Sequence, residues 1–302
     1  MTHNNRKPRR DIYQEITDRI IADLEKGVAP WNKPWSGGGP TLPRRHNGVP
    51  YRGINILALW AAAMEKRYRA PIWMTFRQAI LLGGCVRKGE KGTLTVFANS
   101  LTLTETNEAT GEETASDIHY LKGYTVFNVE QIDGLPQHYY PLPETFIPTA
   151  SRIVHADAFF TATRANIRSG GSTACYVPRT DIIHMPYIDR FRDAESYYAT
   201  LAHECIHWTR HPSRLDRDFG QKRFGDNAYA TEELVAELGS AFICASLDLM
   251  PEARKDHASY IAYWLETFKA DNRAIFSAAA HAQRAADFLH ALQPEAASRL
   301  VA

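Results

Sequence analysis

Cysteine is scarce, with four in 302 residues, and no two stand in a Cys-x-x-Cys pair. That spacing argues against a zinc ribbon and against a disulfide-stapled secreted fold, so Cys85, Cys175, Cys205 and Cys244 read as reduced thiols of a cytoplasmic protein. Long apolar runs are missing too. Nothing approaches the roughly 18 to 20 consecutive apolar residues of a membrane-spanning helix, and no apolar stretch follows the basic opening MTHNNRKPRRD, so neither a signal peptide nor a membrane anchor is expected. Net charge is almost absent, at +1, but only by cancellation. Residues 1–100 hold 17 Lys and Arg against 7 Asp and Glu, whereas residues 101–302 hold 18 against 27. A basic half joined to an acidic half implies separate tasks, the basic one suited to a polyanion through phosphate neutralisation and counterion release.

What is present predicts an α+β fold in two parts. Ile12, Ile16, Ile20 and Leu24 recur every four residues, giving a helix from about residue 10 to 26 that Gly27 stops. The Pro- and Gly-rich segment after it carries Trp31, Trp35, Arg44, Arg45, Tyr51 and Arg52 on irregular backbone. Residues 55–66 are expected to be helical, PIWMTFRQAILLGG to be a helix closed by two glycines, and GTLTVFANSLTL and DIHYLKGYTVFNV to be strands joined by the polar ETNEATGEETAS. The prolines of LPQHYYPLPETFIPT forbid a regular helix and suggest an extended linker. The expected division is therefore residues 1–135, a linker over 136–150, and a mostly helical part with a small sheet over 151–302. That last part should hold strands near 173–177 and 181–185 and helices near 151–163, 194–210, 230–247 and within 257–290.

The chemistry is carried by His203-Glu204-Cys205-Ile206-His207. Residues four apart share a helix face, so His203 and His207 can each offer one imidazole nitrogen to a single divalent ion. Glu204, one step round, is placed to act as general base toward a water attacking a peptide carbonyl. A hydrolytic zinc site keeps three protein ligands, so a third is expected downstream. In the metzincin spacing it would fall at Ser213, which excludes that class. Glu233 and Glu237, four apart on a half-apolar helix, repel each other unless a cation or donor intervenes. Glu233 is assigned as third ligand and Glu237 as the acceptor that orients a histidine, with the reverse left open. His211 also follows His207 by four, but Pro212 predicts a helix end there, with Arg210, His211, Arg214 and Arg217 complementing the helix dipole. The segment TDIIHMP is a candidate sheet edge for peptide addition, against the plainer reading of a buried strand. The expected cofactor is Zn2+, with Mn2+ or another divalent ion as the alternative.

DIYQEITDRIIADLEKGVAPWNKPW, YRGINILALW, WMTFRQAILLGGCVRKGEKG, YTVFNVEQIDGLP, LAHECIHWTRHPSRLDR and EELVAELGSAF, in this order, resemble the plasmid antirestriction proteins of the ArdC type. The resemblance implies an N-terminal single-stranded-DNA-binding domain, found also in plasmid primases, followed by a zincin-like metallopeptidase domain. It further implies protection of incoming plasmid DNA from host restriction during conjugation. Single strands are held by basic grooves with aromatic platforms, for which Trp31, Trp35, Tyr51, Trp73 and Phe76 are candidate rings and Arg44, Arg45, Arg52, Arg87, Lys88 and Lys91 candidate phosphate contacts. The implied partners are single-stranded DNA and an unidentified protein substrate, with a restriction-system component as candidate, and no membrane. Two other readings stay open: a DNA-binding protein with a structural metal site that protects by occupancy, and metal-dependent hydrolysis of something other than a peptide.

Overall fold

Asp11 caps the first helix, α1 (Ile12–Glu25), by accepting the Gln14 N–H at 3.1 Å, and the predicted stripe of Ile16, Ile20 and Leu24 is buried along it. Gly27, with φ of 75°, ends it in the left-handed region. The computed structural model describes residues 11–31, 41–106, 113–140, 149–220, 227–249 and 258–294. Trp35 and most of the expected linker lie outside them.

The chain then forms β1 (Arg44–Arg45), α2 (Ile54–Lys66), β2 (Ile72–Thr75), α3 (Phe76–Leu81), β3 (Cys85–Val86), β4 (Thr93–Thr106), β5 (Glu113–Asn128) and β6 (Ile132–Asp133). PIWMTFRQAILLGG is thus a strand followed by a short helix, not one helix. The switch falls at Thr75, whose hydroxyl caps Gln78 N–H while the Gln78 side chain caps Thr75 N–H. The four-stranded sheet has the order β1-β2-β5-β4, and β3 pairs with β6. The β4–β5 ladder is longer than expected, its pairing running from Thr93↔Val126 to Thr106↔Glu113 and so taking in both ends of the polar connection.

The remaining elements are α4 (Thr149–Ala162), β7 (Asn166–Ser169), β8 (Cys175–Val177), β9 (Ile182–Met185), α5 (Ala194–Trp208), α6 (Asn227–Ser246), α7 (Ala258–Ala270) and α8 (Ala274–Ala291). The sheet order β7-β9-β8 makes TDIIHMP the central strand, and the unread β7 is what covers it. It is therefore no edge, and β8 takes that position beside α5.

One hydrophobic core runs through both halves, joining Ile20, Leu57 and Trp60 to Ile206, Leu238, Phe242 and Leu289. Trp60 meets Phe242 at 6.0 Å, Thr17 donates to Asn272 O at 2.7 Å, and Gly53 N–H donates to Gln283 Oε1 at 2.8 Å. Among the described residues no helix is long and apolar enough to cross a membrane.

Candidate metal centre

Asp193 caps α5 by accepting the Ser196 N–H at 2.7 Å, and Leu201, Ala202, Cys205 and Ile206 anchor the helix in the core. That anchoring turns His203 and His207 together toward α6, with their Nε2 atoms 3.2 Å apart. Gly239 of α6 permits the close approach of the two helices. A Cβ there would lie 2.8–3.0 Å from three side-chain carbons of Ile206.

α6 brings three glutamates to the imidazoles. Glu233 lies between them, Oε2 3.5 Å from His203 Nε2 and Oε1 3.4 Å from His207 Nε2. Glu237 Oε1 is 3.1 Å from His203 Nδ1, an ion-pair distance although the ring N–H is not aimed along a hydrogen-bond line. Glu232 Oε1 is 3.1 Å from His207 Nδ1. Each ring thus has a carboxylate beside Nδ1, which leaves Nε2 to face the shared space. Ligand atoms of His203, His207 and Glu233 all fall within 4.8 Å of one another.

Sequence reasoning passed over Glu232 and saw only part of what Arg217 does. Arg217 is buried and grips Glu232 with Nε and Nη2 at 2.8 and 2.7 Å, while Nη2 also donates to Ile206 O at 2.9 Å. The last contact is the expected helix-end complement; the first two hold a carboxylate beside a histidine. The adjacent Glu232-Glu233 pair on an apolar helix was the available signal, since a second buried carboxylate needs its own cation. His211 is turned to Ser213 Oγ at 2.8 Å and is not among the converging groups.

Aromatic packing supports Glu233 from behind. Tyr229, one turn earlier on α6, lies on the same helix face as Glu233, and burial together with that carboxylate pushes its phenol above the usual tyrosine range. Its ring lies 6.3 Å from Tyr260, which stacks on Trp264 at 6.0 Å, and Trp264 donates Nε1–H to Ala230 O at 3.0 Å.

Burial by itself would keep both imidazoles neutral, but Glu233 and Glu237 raise His203 above the usual histidine value, and Glu232 and Glu233 raise His207 to about 10. Burial opposes the charge of Glu232, yet Arg217 and His207 hold it at about 2. Against the same burial, the two histidines depress Glu233. The cluster demands positive charge, and two imidazoles with a carboxylate are the donor set that a divalent ion satisfies. Glu204 is buried on the same helix, and its Oε2 accepts the Tyr176 N–H of β8 at 2.8 Å. Arg214 braces that edge, pairing with Asp181, donating to Trp208 O at 2.7 Å and lying over the Trp208 ring at 3.9 Å.

Among the described residues, the expected DNA-contact residues differ in exposure. Trp31, Tyr51 and Trp73 are 5, 8 and 1 % exposed. Rings so covered present no face to a base: Trp31 packs on Trp264 at 5.9 Å and Trp73 on Tyr68 at 5.8 Å. Arg52 pairs with Asp287, and Arg87 with Glu90 and Asp133 at 3.0 and 3.2 Å, each at the surface. Arg44 is half-buried and donates to Gly48 O at 3.2 Å, whereas Arg45, Lys88 and Lys91 are exposed. Phe76 is exposed as well.

Residues 154–281 match the family described as zincin-like metallopeptidase, and residues 10–127 match the N-terminal domain of anti-restriction factor ArdC. An uncharacterized protein of Sinorhizobium fredii, y4eC, is 46% identical over 95% of this chain and 94% of its own. DNA primase TraC of Escherichia coli is 38% identical over 94% of this chain, which spans 27% of that protein's length. The metal-free crystal structure of antirestriction protein ArdC from plasmid R388 superposes with a TM-score of 0.77 at 50% identity, covering 94% of this chain and 98% of that one. The Mn(II)-bound structure of that protein gives 0.75 at 48% identity with the same coverage. With both halves matched and 94% of its length aligned to ArdC, the chain belongs to the ArdC family of antirestriction proteins.

Proposed function

We propose that this protein binds single-stranded DNA and hydrolyses peptide bonds at a divalent-metal centre, and so protects incoming plasmid DNA from host restriction. The observation that carries the reading is the convergence of His203, His207 and Glu233 beside a buried Glu204 whose carboxylate is tied to a sheet edge. Those three residues would hold the ion, with Glu232 and Glu237 orienting the imidazoles. When bound, a divalent ion supplies a Lewis acid for the substrate carbonyl and lowers the pKa of a water toward neutrality. Glu204 is the general base: the Tyr176 N–H fixes Oε2, and the carboxylate takes a proton from the attacking water and returns it to the leaving amine. β8 is the strand to which an extended peptide would add, through its backbone groups. The Mn(II)-bound relative supports manganese beside zinc as the ion. The basic half, with Arg45, Lys88 and Lys91 exposed, would bring this centre to proteins bound on entering DNA.

Elemental analysis of protein purified without added metal tests the centre, with about one ion per chain expected in wild type and none in His203→Ala. Glu204→Gln is expected to keep the ion and lose peptidase activity by at least a hundredfold. A Glu204→Gln protein that still protects DNA fully in conjugation would instead favour protection by occupancy.

A further inference from the structure

Among the described residues Trp31, Tyr51 and Trp73 are covered, whereas a group of exposed rings lies on the β4–β5 ladder. In this register Thr95 faces Tyr124, Phe97 faces Lys122 and Asn99 faces Tyr120, so by alternation these six side chains share one face of the hairpin. The opposite face packs on α1 at Gly123, where a Cβ would lie 2.9 Å from Leu94 Cδ1 and 3.2 Å from Ile12 Cδ1. The hairpin is therefore held from one side, while its other side, covered at Thr95, carries Phe97, Tyr120 and Tyr124 at 45, 43 and 40 % exposure. Phe97 meets Tyr124 edge-on at 6.5 Å, and the Lys122 ammonium lies 5.3 Å from the centre of the Tyr124 ring.

Single exposed rings are ordinary on protein surfaces, but three on one face around a lysine are a patch with a chemistry. Flat rings on a rigid pleated surface stack on unpaired bases, and an interleaved ammonium meets the phosphates between them. Duplex DNA cannot use such a face, because its bases are already stacked on each other. From this we infer that the outer face of the β4–β5 hairpin is the base-stacking platform for single-stranded DNA, with Phe97, Tyr120 and Tyr124 as the rings and Lys122 as the phosphate contact. The inference rests on the single-strand reading proposed above and replaces Trp31, Tyr51 and Trp73 as its rings.

The test is fluorescence anisotropy with a labelled oligo-dT of about 20 nucleotides at low salt, on the full chain. Phe97→Ala with Tyr124→Ala is expected to weaken binding by about tenfold or more, and Lys122→Ala to flatten the salt dependence. Phe97→Leu with Tyr124→Leu keeps the apolar surface but removes the ring faces, and the same loss is expected. Tyr187→Ala, an exposed ring in the other half, serves as the control and is expected to bind as wild type does. Wild-type affinity in both double variants would overturn the platform while leaving single-strand binding intact. Failure of the wild-type protein itself to bind oligo-dT would overturn both.

Discussion

Arg217 and Glu232 are where one side chain decides most. Both are buried, and their two-pronged contact at 2.7 and 2.8 Å leaves Glu232 beside His207 Nδ1. Removing one partner of such a pair strands a charge away from water, at a cost of about 3–5 kcal/mol. Arg217→Met is accordingly expected to lower the denaturant-unfolding free energy by about that amount. Adding Glu232→Gln to it should recover part of the loss, which a double-mutant cycle reads directly. His203, Glu204 and His207 were legible because their relation is a helical period, contained in five residues. The Arg217–Glu232 contact was not, since it joins a loop to a helix 15 residues away and only burial shows that it matters. The exposure of an aromatic is equally invisible in sequence: Trp31 and Phe97 are alike as residue types, yet one is core and the other faces solvent.

At the scale of elements the site depends on how closely α5 and α6 cross. Alanine at position 239 would gain about 1 kcal/mol of helix propensity, but its Cβ would meet Ile206 at 2.8–3.0 Å, and Ile206 is fully buried and has nowhere to move. The clash wins. Gly239→Ala is expected to destabilise the fold by about 1–3 kcal/mol and to weaken metal binding in calorimetry as the glutamates are pushed off the histidines. Ile206→Val removes the nearest carbon and should restore part of both. Tyr229→Phe belongs to the same scale: it leaves the helix intact, removes the hydroxyl one turn from Glu233, and is expected to lower metal affinity about tenfold or more with little change in Tm. The helices themselves were legible from periodicity and stop signals. The Ile72–Thr75 strand was not, because Trp73 and Met74 are buried in two different clusters and a continuous apolar run has no period to read. The Thr75/Gln78 capping box was the overlooked sign that the helix starts only after it.

For the whole molecule, the family matches divide the chain between residues 127 and 154, whereas the hydrophobic core does not divide there. Trp31 of the basic half packs on Trp264, which reaches Glu233 through Tyr260 and Tyr229, and α1 is tied to the α7–α8 connection at Asn272. No composition shift reveals such an interface, because the residues that build it are ordinary core residues of each half. Shared burial of this kind makes unfolding of one half expose the apolar face of the other, so calorimetry on the full chain is expected to give one transition whose calorimetric and van't Hoff enthalpies agree. Trp31→Ala should shift that entire transition downward, by about 3–5 kcal/mol in free energy. Oligo-dT at 100 times its Kd should stabilise all of it by about 2.7 kcal/mol, the metal centre included. Two resolved transitions, only one of them moved by DNA, would mean that the basic half and the metal centre respond separately and that the aromatic contacts between them carry no coupling.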